Sequence, residues 1–585
     1  MTQIRLPQRL RHLRLINTKG PILLLATLIG IIGGLGAIGF YALLKLSLDF
    51  FLGTLAGVEP FGSEGVIPHS LFFLIPTLGG LVSGYIVYRF APEAQGHGTD
   101  AMINTFHNKG GKVRKRVPLV KAITSVLTIS TGGSAGYEGP VAQIGSGMAS
   151  LISKFFHVST KTRRILTLAG TAAGLGAIFK APLGGAITSV EVLYKEDFES
   201  DAFLTSIIAS VVAYATYCSV MGYEAVFSTL PKYLSENLWE LWGYILLGIL
   251  CAPVSWTYVK TFEGVQKLFS KIPGPLYIRP ALGGLAVGIL FYSVPEIIAG
   301  GWNFLVDAMR TPDYSLKAAG VLLLLAFMKM IATSFTVGSG GSGGIFGPSL
   351  FIGGMLGGAV GTALNHFFPT FIHHPGAFIL VGMGAFFSGA ANAPIASVIM
   401  VCELTGNYNL LAPLMLASAI HIFFAHKWSI YGSQVKNKFS SRAHKYDINV
   451  DVLRGVMVGE VLKELNNSFV AVAPSDSIKS LEKLLSGTES DVFPVIEKQK
   501  IIGILDVHAI RKAIFDQSIS SLVIVEDLME KVTFLRKDMD LHTASQVFLR
   551  SGHQELPVIS QETKEVFATL KANEIMNAYD SCIKS

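Results

Sequence analysis

The chain has 585 residues, of which 50% are apolar and only 15% charged, and its mean hydropathy is +0.50. Soluble domains carry about 25% charged residues, so these figures exclude a disordered, collagen-like or nucleic-acid-coating protein and point to the membrane. The net charge of +7 fits cytoplasmic loops that collect Lys and Arg, not a nucleic-acid surface.

The first twenty residues carry Arg5, Arg9, Arg11, Arg14 and Lys19 and no acid. The apolar run from Pro21 to Leu48 that follows is too long for the core of a signal peptide. It reads as a retained first helix with its N-terminus in the cytoplasm. Leu71–Phe90, Leu241–Val259 and Ala318–Phe335 are long enough to span. Pro140–Phe156, Ala181–Tyr194, Pro348–Leu364 and Pro394–Leu404 are shorter and broken by Gly or Pro. Such segments fit half-helices meeting near the midplane of a transporter, or helices packed closely through small residues.

A repeat decides between the two. Residues 133–140 read GSAGYEGP and residues 341–348 read GSGGIFGP, agreeing at five of eight positions. Ala181-Pro182 is followed by Glu191 and Ala393-Pro394 by Glu403, each nine residues after the proline. Pro140 and Pro182 are 42 residues apart, Pro348 and Pro394 46. Two unlike elements recurring in order indicate duplicated halves with a substrate site between them.

Each Gly-Pro element opens an apolar helix. Proline suits a first turn because it lacks an N–H that would go unpaired there. The remaining N–H groups and the positive end of the helix dipole attract anions. Neither element has the Lys-Ser/Thr ending of a phosphate-binding loop. Glu138 lies inside the first element. A carboxylate in low dielectric is costly unless stabilised or protonated. Beside helix starts it can take an anion's position, so protonation would release it as a gate, a proton carrier or both. A plain capping role is the alternative. For Glu191 and Glu403 the capping role is favoured.

At these residues the sequence resembles the CLC family of chloride channels and chloride/proton exchangers. Gly96-His97-Gly98-Thr99-Asp100, Gly136-Tyr137-Glu138-Gly139-Pro140 and Gly344-Ile345-Phe346-Gly347-Pro348 match the family's three signature stretches in order. Tyr431 falls where the family has its pore tyrosine. The resemblance covers roughly residues 20–440. It implies a mostly α-helical membrane domain of two inverted halves and a homodimer with one anion pathway per subunit. By the same resemblance, His97, Gly98, Ile345, Phe346 and Tyr431 line the anion site and Glu138 is the gate. Two departures stand out. The family's pore serine aligns with His97, which either coordinates the anion or turns aside. The usual inner proton-relay glutamate aligns with Val192, which cannot carry a proton. The fluoride-selective branch lacks the tyrosine, so chloride is the expected ion.

Acids divide the chain, 19 falling in residues 1–440 and 21 in the last 145. The expected organisation is a basic cytoplasmic N-terminus (1–20), the membrane domain (21–440), a linker (441–451) and a soluble α/β region (452–585) on the cytoplasmic side. Phe493-Pro-Val-Ile496 precedes the apolar run Ile501–Leu505, and Leu556-Pro-Val-Ile559 precedes Val566–Leu570. Each follows an expected helix, Ile478–Leu485 and Leu541–Leu549. The pattern resembles a pair of CBS domains. Asp506-Val-His-Ala509 and Lys571-Ala-Asn-Glu574 depart from the nucleotide-binding Ser/Thr-x-x-Asp, so a structural or dimerising module is expected, without nucleotide. No cofactor or metal is expected. Cys218, Cys251, Cys402 and Cys582 make no zinc or disulfide pattern, and His373-His374 reads as a loop.

The function expected from the sequence is chloride transport gated by Glu138, uncoupled or weakly proton-coupled because Val192 is apolar. The alternative is a coupled chloride/proton exchanger with a non-standard inner proton path. A CBS-bearing divalent-cation transporter is more remote, since the membrane part has few acids to serve as ligands. The expected setting is a prokaryotic inner membrane.

Overall fold

A computed structural model describes residues 19–57, 71–227, 233, 239–310, 315–444, 453, 455–464, 469–477, 480–481, 487–488, 490–515, 523–560, 563 and 565–584. The basic residues 1–18, most of the expected linker and most of the expected helix 478–485 lie outside the described residues. The chain divides into two units, 1–443 and 444–585.

In the first unit, α1 (Lys19–Leu48) runs on into a wider π-helical turn, Asp49–Leu55, and α2 (Leu71–Phe90) follows. Next come α3 (Gly98–Asn108), α4 (Val117–Ser130), α5 (Glu138–Phe155), α6 (Thr160–Ile178), α7 (Pro182–Glu191) and α8 (Ser200–Met221). The second half contains α9 (Glu240–Ser270), α10 (Ile278–Ser293), α11 (Trp302–Arg310), α12 (Leu316–Gly338), α13 (Phe346–Phe367), α14 (Pro375–Ala391), α15 (Pro394–Thr405) and α16 (Leu411–Ala425). Proline sits in the first turn of α4, α7, α14 and α15, where its missing N–H costs nothing. Ser159 and Ser315 cap α6 and α12 by accepting from Thr162 N and Ala318 N at 3.1 Å each.

Six helices among the described residues are long and apolar enough to cross a membrane. In five of them, 39–44% of the apolar stretch is buried, as expected of a helix with one face toward lipid. In α13 the figure is 89%, so this helix is enclosed by protein.

Glycines bring backbones together in matching pairs. A Cβ on Gly145 of α5 would strike the carbonyl of Gly170 on α6, and one on Gly353 of α13 that of Gly382 on α14. Gly145 and Gly353 each lie five residues after the Gly-Pro proline, Gly170 and Gly382 each twelve before the next one. The same close crossing is therefore built twice. Between the halves, Gly136 and Gly344 occupy the same place in the repeat. They exchange two backbone hydrogen bonds, Gly136 N to Gly344 O at 2.8 Å and Gly344 N to Gly136 O at 2.6 Å, in antiparallel sense. A reciprocal pair between equivalent residues is what a local two-fold axis requires.

The second unit holds α17 (Val458–Glu464), β1 (Val492–Glu497), β2 (Lys500–Asp506), α18 (Val507–Phe515), α19 (Val525–Leu528), β3 (Glu530–Lys531), β4 (Leu535–Arg536), α20 (Leu541–Ser551), β5 (Glu555–Ile559), β6 (Val566–Lys571) and α21 (Ala572–Lys584). The strands form two sheets, β1-β2-β3 and β4-β5-β6. Their central hairpins correspond: Pro494 pairs with Ile504 and Pro557 with Thr569, each near a register shift. Val492, Ile501 and Ile504 of one sheet pack with Ile559 of the other. Asp491 N donates to the buried Glu555 carboxylate at 2.9 Å, which also joins the two halves.

Candidate anion pathway

Three helix starts converge in the first unit: α3 at Gly98, α5 at Glu138 and α13 at Phe346. Backbone bonds stitch their loops together. Gly96 N donates to Gly341 O at 3.2 Å and Gly343 N to Gly96 O at 3.3 Å, beside the Gly136–Gly344 pair. A Cβ on Gly98 would run into the Gly139 carbonyl, and one on Gly139 would lie 3.2 Å from both Gly344 Cα and Gly98 N. Only bare backbone fits at this meeting point.

The residues preceding these helices, His97, Tyr137 and Ile345, offer no side-chain cap. Their N–H groups and dipole ends are thus directed at whatever anion the junction holds. The Glu138 carboxylate is there. It is 1% exposed, and neither oxygen has a hydrogen bond of normal geometry. A Cβ on Gly347 would sit 2.7 Å from its Oε1, one on Gly344 3.0 Å from its Oε2, and one on Gly136 would overlap it. The carboxylate therefore threads between three glycines, close to the Gly347 N–H in the first turn of α13.

His97 is 8% exposed, with its Nδ1 buried and unpaired. Its ring lies 5.6 Å from the Tyr431 ring and 5.9 Å from Phe262, centroid to centroid. Tyr431 is 2% exposed and lies near Thr99, in the first turn of α3, and within electrostatic reach of Glu138. Ile345 and Phe346 are buried at the start of α13. The Phe346 ring contacts Phe179 and Phe387, with centroids 5.1 and 4.4 Å away. The structure thus gathers His97, Gly98, Glu138, Ile345, Phe346 and Tyr431 around one junction. Val192 stands apart, fully buried at the C-terminal end of α7, where its carbonyl accepts from Gln434 Nε2 at 3.2 Å.

Several supporting residues were not picked out from the sequence. Lys121 Nζ donates to Ala94 O at 3.0 Å and Gly96 O at 2.6 Å, fixing the loop that presents His97. Lys329 does the same in the other half, donating to Ile297 O at 2.8 Å and Ala299 O at 2.6 Å. Each lysine stands twelve residues before the first glycine of its Gly-rich element, a signal available in the repeat. Asp100 accepts from Ser433 N at 2.7 Å and Ser433 Oγ at 2.8 Å, tying α3 to the turn just beyond Tyr431. Tyr258, fully buried, also lies near Tyr431.

A cavity of about 610 Å³ reaches His97. Its wall carries Lys109, Lys112, Arg114 and Arg279 against Glu93 and Asp100. A mouth with an excess of fixed positive charge concentrates anions and repels cations.

The voltage gated chloride channel family model matches residues 79–426, and the CBS domain model matches residues 458–516. The H(+)/Cl(-) exchange transporter ClcA of Vibrio parahaemolyticus is 32% identical over 410 residues, covering 68% of this chain and 85% of that protein. A putative chloride channel protein, ClcB-like, of Ralstonia nicotianae is 28% identical over 414 residues, 69% of this chain and 94% of that one. The crystal structure of a slow cyanobacterial Cl-/H+ antiporter aligns with a TM-score of 0.61 and 25% identity, over 70% of this chain and 95% of its own. A eukaryotic CLC transporter shares the fold at 18% identity and a TM-score of 0.56, over 94% of this chain. With three converging helix starts and the family match over most of its first unit, this chain is an integral membrane protein of the CLC family of chloride transport proteins, with a CBS region at its C-terminal end.

Proposed function

We propose that the chain is a coupled chloride/proton exchanger in which Glu138 alternates with chloride at the junction of α3, α5 and α13. The observation that carries this reading is the buried Glu138 carboxylate, threaded between Gly136, Gly344 and Gly347 where three helix starts have no other cap. An anion arriving there competes with a like charge. Protonation neutralises the carboxylate, weakens its hold on the dipoles and frees the position. The proton then travels with Glu138 and the chloride with the vacated N–H groups of Ile345 and Phe346, with Gly98, His97 and the Tyr431 hydroxyl beside them.

The relatives that carry an exchanger's name favour coupling over the uncoupled reading drawn from Val192. That reading keeps one observation, an apolar side chain at the usual relay position. Chloride flux recorded together with pH in liposomes separates the two. An exchanger moves protons uphill when only a chloride gradient is imposed; uncoupled flux leaves the pH unchanged once a protonophore control is subtracted.

The protein is taken to act as a homodimer in a prokaryotic inner membrane with both termini cytoplasmic. The basic residues around the cavity and in the 436–442 segment support that orientation. Residues 452–585 are read as two CBS-type modules that do not take up nucleotide. In support, Asp506 is already engaged, accepting from His508 N at 2.6 Å and pairing with His553 Nδ1 at 3.2 Å.

A further inference from the structure

A gate that gives up its place to chloride needs somewhere to go. The Glu138 side chain is 1% exposed, and neither of its oxygens has a hydrogen bond of normal geometry. A carboxylate only accepts, and a carboxylic acid still accepts through its carbonyl oxygen. A buried donor in the same unpaired condition borders the same gap. It is Nε1 of Trp302, the first residue of α11. An indole N–H donates and cannot accept. Gly347 stands between the two groups. A Cβ there would lie 2.7 Å from Glu138 Oε1 and 3.2 Å from Trp302 Cζ2. A Cβ on Gly300 would lie 2.7 Å from Trp302 Nε1. The edge of the indole from Nε1 to Cζ2 is thus flanked by two glycines, and neither has a side chain to screen it.

The ring is held from the other half of the repeat's machinery. Phe227, 4% exposed, packs on it with centroids 5.4 Å apart. Lys329 ties down the loop leading into α11 through Ile297 O and Ala299 O, just as Lys121 ties down the loop that presents His97. The Lys329 ammonium is the charge beside this loop, 3.3 Å from where a Cβ on Gly301 would lie, and it is committed to those two carbonyls. Two other buried side-chain groups without a partner, His97 Nδ1 and the Tyr258 hydroxyl, lie on the Tyr431 side of the junction. Gly300, Gly301 and Trp302 are partly exposed, so the indole stands between the enclosed gate and water.

We propose that Trp302 is the positioning residue for the released gate: its Nε1–H receives the Glu138 side chain once chloride has taken the place among the helix starts. This rests on the exchange cycle proposed above. With the carboxylate at the junction, a buried donor and a buried acceptor are both left unpaired, which is costly for each. Rotation of the Glu138 side chain past Gly347 pairs them with the backbone unmoved. Chloride then satisfies the N–H groups of the helix starts, and Trp302 satisfies the carbonyl oxygen of the protonated acid. The hydroxyl of that acid is left free to exchange its proton with water at the start of α11. Glu138 is the group that changes charge. The indole lowers the cost of displacing the gate, and so strengthens chloride binding without touching the ion.

The test measures chloride binding to the purified full-length protein by calorimetry, in two backgrounds. Trp302→Phe keeps an aromatic ring against Phe227 and removes the N–H. It should weaken chloride binding about tenfold where Glu138 is present, the size of one hydrogen bond. In Glu138→Ala, which has no side chain to release, adding Trp302→Phe should leave the affinity unchanged. Equal weakening in both backgrounds makes Trp302 a support of the fold or a direct anion contact and overturns the proposal, as does undiminished binding in Trp302→Phe alone. A second readout leaves Trp302 in place. With the five tryptophans ¹⁵N-labelled, one indole N–H signal should move downfield when chloride is added to the wild type and stay put in Glu138→Ala. A spectrum that chloride leaves unchanged in the wild type, or shifts equally in Glu138→Ala, overturns the proposal. Failure of the exchange cycle itself shows differently: Glu138→Ala would then bind chloride no more tightly than the wild type.

Discussion

Glu191 and Glu403 each cap the helix that carries the other. Glu191, the last residue of α7, accepts from Ile395 N at 3.1 Å and Ala396 N at 2.6 Å at the start of α15. Glu403, on α15, accepts from Leu183 N at 3.2 Å and Gly184 N at 2.7 Å at the start of α7. The repeat thus produces two kinds of helix start. Those of α7 and α15 are closed by a glutamate from the opposite half. Those of α3, α5 and α13 have no side-chain cap from the residue before them, and the Glu138 carboxylate lies among them.

Removing either cap should weaken the fold without changing ion selectivity. A hydrogen bond to a charged group contributes about 1.5–3 kcal/mol, and Glu191→Ala or Glu403→Ala strips two such bonds from a helix start. Thermal unfolding in detergent should show a lowered midpoint for both, and Glu191→Gln, which keeps an acceptor oxygen, should lose less. Equal stability of Glu191→Ala and wild type would contradict the capping role.

Glu138→Gln should flatten the pH dependence of chloride flux. In the wild type, acid protonates the carboxylate and opens the position, so flux rises as pH falls. A neutral amide cannot pass between the two forms. Flux recorded across the pH range in liposomes checks this. Retained pH sensitivity in Glu138→Gln would move the gate elsewhere, with His97 the next residue to examine.

Gly347→Ala should act on the gate through space alone. The added methyl would lie 2.7 Å from Glu138 Oε1, below contact distance, so the carboxylate has to leave its seat. Flux should lose pH sensitivity as in Glu138→Gln while chloride remains preferred over cations. A Gly347→Ala protein with wild-type pH dependence would show that the carboxylate does not rest against α13.

A chain ending at residue 451 should remain a folded, transporting membrane protein. Every residue gathered at the junction belongs to the unit that ends at Ala443. Loss of all flux from a well-folded truncated protein would show that the CBS region is required for transport.

The Gly-Pro elements and the paired Pro182/Glu191 and Pro394/Glu403 were legible because each occurs twice at similar spacing. Helix starts and a Glu138 among them follow from that pattern. Lys121 and Lys329 repeat just as faithfully, yet a single lysine in an apolar stretch has no chemistry until the carbonyls it gathers are known. The unpaired Nδ1 of His97 and its position beside Tyr431 depend on packing between segments more than 300 residues apart.

In the proposed exchange cycle, chloride and the Glu138 carboxylate compete for one position. Linkage makes that measurable without transport: if chloride displaces the carboxylate, binding must raise its proton affinity. Chloride added to purified protein in weakly buffered detergent solution should draw protons from the solution. Glu138→Gln should bind chloride without doing so. Chloride binding by the wild type with no proton uptake would contradict the shared site.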